Sequence, residues 1–209
     1  MPTPATTHEA STWSELRAAC ERSARPAGDA ALPVHRPRAA VLACSDARVS
    51  PARLFDVPAG ELFVVRVAGN IATPEAVASL TYAVDVLGAD TVVVLGHSHC
   101  GAVTAALDPR SDPALGCLVE PIRRALDLAP RCDDLPCAVT QNVAATVAAL
   151  TADLGPLGAA IRSGRASLHG AVLDLATNTL TDIGPVPVPD QPTPIIQPTP
   201  TIPARSTTP

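Results

Sequence analysis

The 209-residue sequence predicts an α/β fold, a mostly parallel β-sheet flanked by helices and preceded by an N-terminal helical arm. Three observations predict it. Short, apolar, β-branched runs recur at 39–43, 61–67 and 91–96, each too short for a helix. Segments with helical spacing separate them, and alternation of strand and helix builds parallel sheets covered on both faces. The length suits a single core, because domains run roughly 100–200 residues.

The elements follow in chain order. Residues 9–24 suit an amphipathic helix opened by Thr12-Trp13-Ser14-Glu15, a capping-box pattern in which Thr12 and Glu15 each satisfy an orphan amide. With the polar, proline-bearing linker behind it, this helix makes residues 1–38 an arm. AAVLA (39–43), ELFVVRV (61–67) and TVVVLG (91–96) are strands. Between the last two, TPEAVASLTYAVDVLG is a crossover helix: Thr73 caps it, Pro74 occupies its first position, and Val77, Leu80, Thr81, Val84 and Leu87 recur at helical spacing. GAVTAAL, LGCLVEPIRRALDLA and TQNVAATVAALTADL continue as helices, broken at Pro113, Pro130 and Pro136. SLHGAVLDL, after Gly164, is a further strand. The α/β domain therefore spans 39–183, and the proline-rich stretch 184–209 has neither helical nor strand period and is expected to be a disordered tail.

Composition excludes several function classes. All 15 cationic residues are Arg, so Schiff-base, pyridoxal and P-loop chemistries, which need a Lys, are excluded. A net charge of -5 with 2% aromatic residues gives neither the basic stripe nor the stacking platform of a nucleic-acid binder. The N-terminus lacks a basic region followed by an apolar stretch, and no window reaches the roughly 18 apolar residues of a membrane span. The expected location is the cytoplasm, without a membrane partner. Six cysteines without a secretory signal are then expected as free thiols, used in metal binding or catalysis rather than in a disulfide framework.

Two of the strands run into polar clusters: Cys44-Ser45-Asp46-Ala47-Arg48 and His97-Ser98-His99-Cys100-Gly101. Ligands of α/β sheets bind at such carboxyl ends. If Gly96 marks the strand-to-helix turn, His97 and Cys100 point the same way on the first helical turn, and Cys44 adds a third soft donor. Two thiolates and an imidazole are a known zinc set, and three protein ligands leave a fourth position open for water or substrate.

The segment CSDARVSPARLFDVPAGELFVVRVAGN, followed by GHSHCGAV and then SLHGAVLDLATNTL, closely resembles the β-class carbonic anhydrases from about Ala39 to Ile183. The resemblance implies zinc-dependent, reversible hydration of CO2 to bicarbonate and a proton through a zinc-bound hydroxide, with one Zn2+ per subunit on Cys44, His97 and Cys100. Asp46 and Arg48 would form a dyad beside the open position. Asp46 orients the attacking oxygen, and Arg48 keeps Asp46, itself a competent ligand, off the metal. The resemblance also places Phe63 and Tyr82 in an apolar substrate pocket shared between subunits, so a homodimer or dimer-based oligomer is expected. Val41 stands where members with a regulatory bicarbonate pocket carry Trp, so Asp46 is expected open and Arg48-paired near neutral pH. His35 stands where several members carry a substrate-binding Gln, and Val67 where Asn is common.

Other readings accompany this one. Gly96-His97-Ser98-His99-Cys100 resembles a G-x-S-x-G nucleophile elbow, but Cys100 replaces the last Gly, and a hydrolase leaves Cys44, Asp46 and Arg48 without a role. Carbonyl sulfide or carbon disulfide hydrolysis on the same scaffold, and a noncatalytic zinc protein, are the alternatives. Cys20 and Cys117 are expected as buried small hydrophobes and His169 as a core histidine. Cys132 and Cys137 are spaced as a metal pair but lack His partners. The His99 side chain is expected to point away from Cys100, and Arg66 either faces a subunit interface or flanks the sheet.

Overall fold

β1 (Ala39–Ala43), β2 (Leu62–Arg66), β3 (Thr91–His97), β4 (Ser167–Leu173) and β5 (Leu180–Asp182) form one sheet in the order β2-β1-β3-β4-β5. A computed structural model describes residues 8–23 and 32–184 of the chain, with side chains from residue 12 onward. The first four strands are parallel, and β5 pairs antiparallel with the end of β4. Because β1 pairs with β2 on one side and β3 on the other, the chain reverses direction across the sheet at β1, and a crevice opens beyond the carboxyl ends of β1 and β3.

The first helix, α1 (His8–Ser23), begins ahead of the expected cap. Thr12 therefore lies inside the helix and is not its N-cap. Trp13 and Leu16 are exposed, and Arg17 pairs with Glu21 one turn on. After β1 comes the short α2 (Pro51–Leu54). It contributes Leu54, with Phe55 behind it, to an apolar cluster with Val41, Ala43, Val49, Leu95 and Leu173 on one face of the sheet.

The crossover helix is α3 (Pro74–Asp85), with Thr73 Oγ1 accepting from the Ala76 N–H and Pro74 in the first turn. Its buried positions are Ala76, Leu80, Ala83 and Val84. Val77, Thr81 and Leu87 lie at the margin of that face, because small Ala76 and Ala83 bring the helix closest to the strands.

α4 (Gly101–Leu107) and α5 (Gly116–Leu128) follow, then α6 (Leu135–Ala152) and α7 (Pro156–Arg162). Pro136 starts α6 rather than breaking it, since its missing N–H falls among amides that have no helical partner anyway. Asp134 caps the helix by accepting from the Cys137 N–H. By length and composition α6 could cross a membrane, contrary to the expectation that no segment would. In the fold, its Val143, Val147 and Leu150 pack with Leu42, Leu80, Val92 and Val94 on the second face of the sheet.

Several cysteine and histidine expectations are corrected. Cys132 and Cys137 form a disulfide across the turn that opens α6, which brings their Cα atoms to 5.6 Å, within bridging range. Cys20 and Cys117 are exposed, Cys117 lying off the α5 face that buries Val119 and Ile122. His169 is exposed as well, in the first half of β4, whose buried positions begin only at Gly170. The proline-rich stretch from residue 185 lies outside the described residues.

Candidate metal centre

Two strand-end turns meet in the crevice. β1 leads directly into Cys44, which is 4% exposed. β3 extends one residue further than expected, so that His97 is its last residue rather than part of a helical turn. The chain then reverses through His99, whose φ of 56° is left-handed, and Cys100 becomes the N-cap of α4. That reversal aims Cys100 at Cys44 and leaves His99 exposed. Gly96 is required beneath it: a Cβ there would lie 2.4 Å from Val143 Cγ2.

The result is a buried triad. One donor atom each from Cys44, His97 and Cys100 fits within 4.8 Å, and the two sulfurs are 4.0 Å apart. His97 is fully buried. Its Nδ1 lies 2.9 Å from the Ser98 carbonyl, an acceptor only, so Nδ1 carries the proton and Nε2 keeps its lone pair. Nε2 has no hydrogen-bond partner. A buried polar atom without a partner is costly unless something else engages it.

The two thiols influence each other. Cys100 beside it, with the Gly69 N–H at 3.3 Å, draws the Cys44 thiol down to about 4 against the effect of burial. Cys100, facing Cys44 and buried, is pushed up. The two shifts run in opposite directions because ionising one of two facing sulfurs disfavours ionising the other. Two thiolates and an imidazole fit zinc in type and number.

Asp46 and Arg48 lie at the rim. The Asp46 carboxylate accepts from the Arg48 backbone N–H (3.0 Å), from Nε (2.9 Å) and from a terminal guanidinium nitrogen (2.7 Å). The guanidinium holds the carboxyl well below the usual carboxylate range. Asp46 Oδ2 is 3.9 Å from His97 Nε2, so the dyad does stand beside the triad.

Phe63 and Tyr82, expected in a pocket shared between subunits, do not stand beside the triad of their own chain. Phe63 stands opposite Ala40, four residues before Cys44, or about 13 Å along the strand at roughly 3.3 Å per residue. Its ring packs 6.1 Å from that of Tyr82 and 6.2 Å from that of His35. Val41 is fully buried in the apolar cluster beside α2. Ser98 is not a free nucleophile, since its hydroxyl accepts the Leu175 N–H.

Three residues of the site escape sequence reasoning. Arg66, exposed at the end of edge strand β2, donates from Nε to the Cys44 carbonyl (3.0 Å) and from a terminal nitrogen to the Asp46 carbonyl (2.6 Å), a role that neither of the two sequence readings included. Gly69, with φ of 74°, brings its N–H to the Cys44 sulfur, and a Cβ there would lie 2.8 Å from Ile122 Cδ1. Buried Asn142 on α6 donates to the Gly69 carbonyl at 2.8 Å. In sequence, the glycine of VAGN was the only available signal.

Comparison with known proteins gives one answer. The sequence profile of the family described as "Carbonic anhydrase" matches residues 39–180. A carbonic anhydrase of Pseudomonas aeruginosa is 38% identical over 160 residues, covering 69% of this chain and 72% of that protein. Carbonic anhydrase 2 of Mycobacterium tuberculosis is 37% identical over 119 residues, 52% of this chain, and the match spans only 58% of that relative's length. A solved β-carbonic anhydrase of Coccomyxa, in complex with acetazolamide, superposes with a TM-score of 0.63 at 28% identity, covering 86% of each chain. With the parallel sheet and the Cys-His-Cys cluster at its switch point, these matches identify the chain as a member of the carbonic anhydrase family, of the β class.

Proposed function

We propose that the protein is a zinc enzyme that interconverts CO2 and bicarbonate. The observation that carries this is the buried triad of Cys44, His97 and Cys100 with His97 Nε2 left without a partner. The two sulfurs and Nε2 would hold zinc, which would supply there a Lewis acid able to acidify water at neutral pH. Asp46 Oδ2, 3.9 Å from Nε2, accepts a hydrogen bond from the attacking water and aims its lone pair at the carbon of CO2. Arg48 holds both carboxylate oxygens, so that Asp46 acts as an acceptor and not as a fourth ligand.

The separation of Phe63 and Tyr82 from the triad of their own chain supports a homodimer in which a second copy supplies them to the pocket. Tyr82 is 47% exposed and available for that contact. We place the protein in the cytoplasm, where reducing conditions keep Cys44 and Cys100 as free ligands; the Cys132–Cys137 bridge weighs against that, and cell fractionation decides it.

Stopped-flow CO2 hydration by wild type and Cys44→Ser, with metal analysis of both, tests the reading. The expected result is near-stoichiometric zinc and fast hydration in wild type, both lost in the variant. Hydration that survives complete loss of zinc overturns it, and sulfide release from carbonyl sulfide in place of CO2 hydration reassigns the substrate.

A further inference from the structure

Resting on that reading of the site, we propose that Arg66 is a positioning residue that holds the Asp46–Arg48 dyad back from the metal ligands and so keeps the fourth coordination position open. Arg66 ends β2 opposite Ala43, the residue before Cys44. Its guanidinium spans Ser45, bonding the carbonyls of Cys44 and Asp46 on either side. Among the described residues it makes no ion pair. Its positive charge therefore goes to two backbone acceptors of this turn. A rigid fork suits two acceptors at a fixed spacing, which the single ammonium of Lys does not reproduce.

The dyad needs an external anchor. Asp46 is braced by Arg48 through three bonds, and its carbonyl also accepts the Val49 N–H, but all of these lie within the turn. Such bonds make residues 46–49 one unit whose far end is packed through buried Val49, while its Asp46 end, half-buried at the rim, depends on hydrogen bonds for its position. Outside ties come from Arg66 at 2.6 Å to the Asp46 carbonyl and, at a longer 3.3 Å, from Arg48 to the His99 carbonyl. With Oδ2 only 3.9 Å from His97 Nε2, a small pivot of the unit places a competent ligand on the metal. The Gly69 N–H and the Val67 N–H, bonded to Cys44 Sγ and the Ala43 carbonyl, secure the ligand end of the same turn, and among the described residues Arg66 is the side chain from outside the turn that bonds both Cys44 and Asp46.

The test uses the full-length protein loaded with Co2+, whose visible spectrum reports an anion entering the open position. Azide is titrated against wild type, Arg66→Met, Arg66→Lys, Asp46→Ala and Arg66→Met/Asp46→Ala. Arg66→Met is expected to weaken azide binding and slow CO2 hydration by about 10- to 100-fold, the range for groups that orient metal ligands. Arg66→Lys, with one donor group, recovers part of the loss. In the Asp46→Ala background the same Arg66 change is expected to alter azide affinity less than about twofold, because the group it restrains is gone. Equal weakening in both backgrounds marks a general scaffold role and overturns the proposal, as does unchanged azide binding in Arg66→Met. If Arg66→Met fails to fold, Arg66→Lys with and without Asp46→Ala gives the same comparison. Azide binding without CO2 hydration in wild type defeats the proposed activity and leaves the Arg66 result standing.

Discussion

The two turns that meet at the metal centre are held by opposite means. The His97–Cys100 turn is fixed by burial: His97 is inaccessible, Cys100 is 1% exposed, and Gly96 lies against Val143 with no room for a side chain. The Cys44–Arg48 turn has one buried residue, Cys44, and is otherwise exposed or half-buried. Charged hydrogen bonds from Arg48 and Arg66 replace packing there. The half that supplies two ligands is thus rigid because it is packed. The half that supplies the acceptor beside the open position is rigid only as long as its guanidinium bonds persist. Packing defects should therefore damage the first half through stability, and charge changes should damage the second through rate.

The largest expected effect comes from Gly96→Ala, which sets a methyl group 2.4 Å from Val143 Cγ2. Overpacking of this kind costs about 1–3 kcal/mol, so thermal unfolding should show a clear loss of stability together with reduced metal occupancy. Adding Val143→Ala should return the metal. Unchanged stability in Gly96→Ala would erase the distinction between the turns.

Next in size is Asp46→Asn. Hydration should fall about 10- to 100-fold while the unfolding midpoint stays within roughly a few degrees, because the Asp46–Arg48 pair lies at the rim with its guanidinium open to solvent, and such pairs contribute about 0–1 kcal/mol. A large stability loss with unchanged rate would reverse the assignment of the two turns.

A smaller effect is expected along the pH axis. Arg48 holds the Asp46 carboxyl below its ordinary value, near 3.9 in an unfolded chain, so the stabilisation it provides is present above about pH 4 and is lost as pH falls through the lower folded value. Wild type and Arg48→Ala should therefore differ by a constant amount in unfolding experiments from pH 8 to about pH 5 and converge only in stronger acid. Convergence already near pH 6 would show that the pair does not form.

The smallest effect is His99→Gly. His99 is left-handed with φ of 56°, a conformation disfavoured for a residue with a Cβ. The substitution should stabilise the fold by a few tenths of a kcal/mol, up to about 1, with unchanged metal content, since His99 contributes no ligand.

What the sequence disclosed follows the same division. β1 and β3 are legible because central parallel strands are apolar throughout, and the residues where they end, Cys44 and His97, are conspicuous for that reason. α3 is legible because Thr73 and Pro74 mark its start locally. β5 is not, being three exposed residues with no apolar period, and α7 is too short to show one. The start of α1 at His8 was hidden by a capping pattern at Thr12 that the helix does not use. Arg66, Gly69 and Asn142 act on the site across separations of 20 to 73 residues, and no local spacing signals such contacts. The Cys132–Cys137 bridge was obscured by the inference from compartment to free thiols, which bears on the chain as a whole and not on two residues brought together by one turn.

The placement of the triad at the switch point also orders events during folding. Cys44 and Cys100 are 56 residues apart, and the intervening chain must lay down β2 on one side of β1, cross through α3, and return as β3 on the other side. Helices can form locally and early, but this parallel pairing closes a long loop and comes late. Before β1 docks against β3, a metal ion would find only His97 and Cys100 together, and Cys44 would join them once that pairing forms. Metal capture therefore registers completion of the central sheet. In a refolding experiment with Co2+, thiolate absorbance should rise after helical signal and together with tertiary structure, which makes the site a built-in clock for the slowest step of its own assembly.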